Sequence, residues 1–185
     1  MYGKIKEYNI TFMAKIYWAG RSCFEISVSN SKDHEAEIII SPKNSGNILI
    51  KAPKGEPFII EGPGEYEVKG VFVRGLPPQG GASTIYIIEA EDIKFCHLGN
   101  TDKQLTDDQL EKIDTVDILM VSASNDAQKI IAQIEPKIVI PMNFDKADKF
   151  LKTMGKPNIQ PVDKLTIKTK DLPKEGAMEI IVLKP

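Results

Sequence analysis

The chain has 185 residues, 42% of them hydrophobic and 27% charged, which suits one folded globular domain and excludes a disordered chain. Twenty-four Lys and Arg stand against 26 Asp and Glu, for a net charge of -2. A protein that neutralises nucleic-acid phosphates needs a basic excess, so no nucleic-acid partner is expected.

Two histidines, His34 and His97, and two cysteines, Cys23 and Cys96, are too few for a histidine-rich two-zinc centre or an all-cysteine zinc site. No run approaches the roughly 20 apolar residues that span a bilayer. Met1 to Phe12 lacks the apolar core of a secretory signal. The expectations are no membrane partner, a cytoplasmic location and two buried free thiols.

In chain order, Ala14 to Trp18 predicts a strand and Ala19-Gly20-Arg21-Ser22 a turn; Cys23 to Ser29 then alternates Phe24, Ile26 and Val28 on one side. Glu37 to Ser41, Asn47 to Lys51 and Pro57 to Glu61 predict further strands, separated by Gly and Pro. Glu65 to Arg74 reads as two strands or one strand bent at Gly70. Ser83 to Ala90 and Ile93 to Leu98 read as a hairpin turning at Glu91-Asp92.

The pattern changes after Gly99. Thr106-Asp107-Asp108-Gln109 is a capping box opening a helix with Leu110 and Ile113 on one face. Asp117 to Val121 and Lys137 to Pro141 are continuous apolar strands. Between them lies a helix capped by Asn125 or Asp126 and carrying Ile130, Ile131 and Ile134. That strand-helix-strand order implies a parallel crossover buried on both faces. Asp145 is expected to start a helix bearing Phe150, Leu151 and Met154 that ends at Gly155, before strands at Lys164 to Thr169 and Ala177 to Leu183.

Gly20-Arg21-Ser22-Cys23-Phe24, Gly62-Pro63-Gly64-Glu65-Tyr66-Glu67-Val68, His97-Leu98-Gly99-Asn100, Val116-Asp117-Ile118-Leu119 and Pro136-Lys137-Ile138-Val139-Ile140-Pro141-Met142-Asn143 occur in this order. Together they resemble the short zinc-dependent hydrolases of the metallo-β-lactamase superfamily. The resemblance covers nearly everything from Met13 to Leu183. It implies an α/β (α+β) fold, the four-layer αββα sandwich, as one domain over residues 13–185, with residues 1–12 as an N-terminal extension. In that family the active site lies at one edge of the two sheets, where one or two metal ions, usually zinc, activate a water against an ester, amide or phosphodiester.

Residue by residue, the metal ligands that the resemblance implies are missing. The family's His-x-His-x-Asp-His loop follows the strand matched by Asn47 to Lys51, where this chain reads Ala52-Pro53-Lys54-Gly55-Glu56. A family histidine ahead of the Ser83 strand falls within Arg74 to Gly80, which has none. The bridging aspartate of His-Leu-Gly-Asp is Asn100, the histidine of Pro-Met-His is Asn143, and that of Gly-His-Ser is Arg21. His97 matches a family position that varies.

Each candidate admits two readings. Arg21 is an anion-binding residue or a solvated turn residue. Asn100 and Asn143 line a polar pocket or satisfy backbone groups at strand ends. His97 is a ligand or base, or a satisfied core histidine, and His34 belongs to a solvated loop. The leading expectation is a metal-free relative, with no catalytic residue and no zinc, that acts as a binding or interaction module. Its partner is a small polar ligand or a protein subunit, and a homo-oligomer is one form of the latter. The alternative is a residual hydrolase with a rearranged hard-metal site around His97, Asp102 and Asp145, to which Glu65 could add an oxygen ligand.

Overall fold

The computed structural model describes residues 13–29, 35–41, 47–51, 54–78 and 83–185. Residues 1–12, His34 and the pair Ala52-Pro53 lie outside them. Strands β1 (Met13–Trp18), β2 (Phe24–Ser29), β3 (Glu35–Ser41) and β4 (Asn47–Lys51) alternate strictly between core and surface. They pair antiparallel in sequence order, followed by β5 (Phe58–Ile60), while β12 (Leu165–Ile167) flanks β1 to complete a six-stranded sheet. Across β1 to β4, Lys15, Ser27, Glu37 and Lys51 are direct neighbours. This row of polar side chains suits one face of an antiparallel sheet to water.

The second sheet begins as two hairpins and finishes parallel. Strands β6 (Gly64–Val68) and β7 (Val71–Leu76) turn at Lys69-Gly70, both at positive φ, so the stretch expected as two strands or one bent strand is two. Strands β8 (Ile85–Ala90) and β9 (Ile93–His97) turn at Glu91-Asp92, again both at positive φ. The right-handed twist of flanking strands favours such two-residue turns. Strands β10 (Ile118–Ser122), β11 (Ile138–Met142) and β13 (Glu179–Ile180) then extend the sheet in parallel from β9.

All five residues of β10 and of β11 are buried, because this sheet lies between two apolar layers. One face meets the six-stranded sheet through Phe24, Ile26, Ile38, Phe95, Met120 and Ile140. The other meets α1 (Asp107–Ile113), α2 (Ala127–Ile134) and α3 (Asp148–Thr153) through Cys96, Leu119, Val139, Ile130 and Phe150. The described residues thus supply three of the four expected layers, sheet on sheet on helices.

The helix signals fare unevenly. The α1 capping box forms, with Gln109 N donating to Thr106 Oγ1 at 3.3 Å and Thr106 N to Gln109 Oε1 at 3.1 Å. Asp126 stands at the α2 cap, but its carboxylate takes Lys129 at 2.9 Å and caps no backbone N–H. Asp145 does not start α3. The chain bends after Asn143, and the first helical bond runs from Leu151 N to Ala147 O. Gly155 ends the helix as expected, with Gly155 N bonded to Lys152 O and Lys156 N to Leu151 O in a Schellman closure. The tail strands are shorter than expected, at three and two residues.

Candidate functional site

Strands β9, β10 and β11 run parallel, so their C-terminal ends share one edge of the sheet. His97 closes β9, Ser122 closes β10, and Asn143 follows β11. The β1–β2 turn reaches this edge from the other sheet. It is closed by bonds from Ala19 N to Cys23 O and from Cys23 N to Gly20 O. Arg21 sits at its tip with φ 52, where a non-glycine side chain is strained. Its carbonyl accepts from Trp18 Nε1 at 2.7 Å and from Asn143 N at 3.1 Å, and Trp18 in turn packs on Phe144 with ring centroids 4.7 Å apart.

His97 is 4% exposed. Gly99 N donates to Nδ1 at 3.1 Å, and Nε2 lies 2.9 Å from the Ser22 carbonyl. An amide N–H only donates and a carbonyl only accepts, so Nδ1 is bare and Nε2 carries the proton. The ring is neutral. Burial lowers its pKa to about 4, against the opposing effect of its backbone bonds. Both nitrogens are spent on backbone groups, and Phe24 covers the ring edge-on at 5.8 Å. His97 therefore fastens β9 to the β1–β2 turn. Cys96 beside it is buried, with its thiol pushed up to about 12.

Asn143, at φ 57, reaches back over the edge. Its Nδ2 donates to Ser122 Oγ at 2.8 Å and to Asn100 Oδ1 at 3.2 Å. Ser122 Oγ gives its own hydrogen to Gly99 O at 3.3 Å, so it can only accept from Asn143, which fixes the orientation of that amide. Asn100 N donates to Ser83 Oγ at 3.3 Å. Gly99 is required at this point: a Cβ there would lie 2.6 Å from Ser83 Cβ. The structure thus joins Arg21, Asn143 and Asn100 in one hydrogen-bonded chain with His97 beneath it.

Asp102 and Asp145 are exposed and take no part in the chain. Glu65 pairs with Arg74 at 2.9 Å. Among the described residues, no group of three or more His, Cys, Asp or Glu side chains comes together that could hold a metal ion. Zinc needs lone pairs from imidazole, thiolate or carboxylate. At this edge the imidazole is occupied and the Asn143 nitrogen presents hydrogens, so these residues do not fit a resident zinc ion.

Ser22, expected only as a turn residue, anchors His97 through its carbonyl, and Ser122, which carries no expectation, anchors Asn143. The available signal for Ser122 was a hydroxyl ending a strand that is otherwise apolar.

Residues 30–143 match the beta-lactamase superfamily domain, more than half of the chain. The chain belongs to the beta-lactamase superfamily. Its superfamily fold is shared with a Thermotoga maritima protein described as a candidate Zn-dependent hydrolase of the metallo-β-lactamase superfamily. That likeness has 24% identity and a TM-score of 0.71, over 93% of this chain and 100% of that one. A more distant likeness is to CmlA, a diiron β-hydroxylase from Streptomyces venezuelae, at 9% identity and a TM-score of 0.52, over 89% of this chain and 55% of that one. No curated protein matches the chain. No helix among the described residues is long and apolar enough to cross a membrane.

Proposed function

We propose that this beta-lactamase superfamily domain is a metal-free, non-hydrolytic relative that works by binding a small polar ligand at the edge formed by Arg21, Asn100 and Asn143. One observation carries the reading: three places where the resemblance calls for metal ligands hold residues bonded to one another, Arg21 O to Asn143 N and Asn143 Nδ2 to Asn100 Oδ1. An amide in place of a carboxylate removes an attraction of about 4 kcal/mol per unit of cation charge at 4 Å and an effective dielectric near 20. A guanidinium facing this edge would repel a dication.

The test is a panel of phosphodiester, ester and lactam substrates with zinc, manganese or magnesium added. The reading expects no turnover above that of the metal in buffer. Turnover that a chelator abolishes and Asp102→Ala removes would overturn it in favour of a rearranged hydrolase. A stable oligomer whose interface covers this edge would overturn the small-ligand reading in favour of a protein subunit.

A further inference from the structure

The hydrogen-bond inventory of the edge says what kind of ligand it takes, if the binding reading above is correct. Both hydrogens of Asn143 Nδ2 are used, on Ser122 and Asn100. Asn100 Oδ1 accepts one of them, which leaves the NH2 group of the exposed Asn100 with two hydrogens unassigned. The Arg21 guanidinium is exposed, and among the described residues it makes no hydrogen bond or ion pair, so five further N–H groups are available. Against these donors the side-chain acceptors left on the three residues are Asn143 Oδ1 and the second lone pair of Asn100 Oδ1, so donors outnumber acceptors. The exposed carboxylates that follow Asn100 and Asn143, Asp102 and Asp145, make no ion pair with Arg21, and Asn100 adds no charge of its own.

We infer that this edge binds an oxyanion, the carboxylate or phosphate group of a small solute, held by the Arg21 guanidinium and the Asn100 side-chain amide. A planar guanidinium fork matches two oxygens of either group, and hydrogen bonds to an ionised acceptor are the strong ones. The polarity of the site is thereby reversed: superfamily hydrolases hold a cation with carboxylates and imidazoles, and this chain holds an anion with N–H donors.

The test titrates the 15N-labelled intact protein with inorganic phosphate and with acetate at constant ionic strength, reading the Arg21 Nε–H and Asn100 Nδ2 resonances. Acetamide and methylguanidinium serve as neutral and cationic controls. The expected result is saturable shifts with an anion and none with the controls. Affinity should fall by about tenfold or more in Arg21→Gly and in Asn100→Asp, through loss of a charge-assisted bond or gain of a like charge. Arg21→Gly also relieves the positive φ, so it keeps the fold, and an unmoved His97 ring signal confirms that.

Saturation by phosphate alone or by acetate alone supports the inference and names the head group. Shifts that never saturate, or that persist unchanged in Arg21→Gly, overturn it. A metal-free protein that ignores both anions sinks this inference alone, whereas chelator-sensitive turnover sinks the binding reading beneath it.

Discussion

Acid should loosen this protein through His97 before most carboxylates matter. Folded, the ring is buried and neutral with its pKa lowered to about 4, against an ordinary value of 6.5. Between those values the unfolded chain holds a proton that the folded chain refuses. Stability from this group is therefore full above about pH 6.5 and is lost as pH falls. The slope is about 1.4 kcal/mol per pH unit, and the loss reaches roughly 3 kcal/mol at pH 4. Carboxylates add their own slope, so the assay is urea unfolding at pH 7 and pH 4 on the native chain and on His97→Gln. The variant starts weaker by about 1–3 kcal/mol because Gly99 N–H and Ser22 O lose partners. It should then lose roughly 3 kcal/mol less on acidification. Parallel losses in the two proteins, or a His97 ring that titrates near 6.5 by NMR, would refute the buried neutral tautomer.

Gly99→Ala should destabilise by about 1–3 kcal/mol in chemical denaturation, because the new methyl meets Ser83 at 2.6 Å on a backbone held at φ 57. Thr106→Ala should cost about 1 kcal/mol in the same measurement by removing the α1 cap. Ellman's reagent should find at most one thiol in the folded protein, the partly exposed Cys23, and two in denaturant, because Cys96 is buried with its thiol raised to about 12.

Most of the fold is legible in the sequence because the two strand environments write different patterns. Residues that face a core on one side only alternate, as Phe24, Ile26 and Val28 do, while β10 and β11, covered on both faces, are apolar throughout. Local chemistry also reads well where it needs no distant partner, as at the Thr106 box and the Gly155 closure. Asp145 misleads because the capping signal is common to any Asp before an apolar run, and the bend after Asn143 delays α3 to Asp148. The site is legible as a set of substitutions and not as an arrangement. Arg21, Asn100 and Asn143 could be named by resemblance. That Asn143 ties the other two together, and that Ser122 sets its orientation, follows from contacts between residues as far as 122 positions apart in the chain, which no local pattern encodes.

The most direct check on the proposal that this sheet edge holds no metal is elemental analysis of untagged protein, incubated with excess zinc and then dialysed. The account predicts far less than one zinc per chain, unchanged in Asn100→Ala and Asn143→Ala. A full equivalent of zinc retained by the native protein and lost in either variant would contradict it.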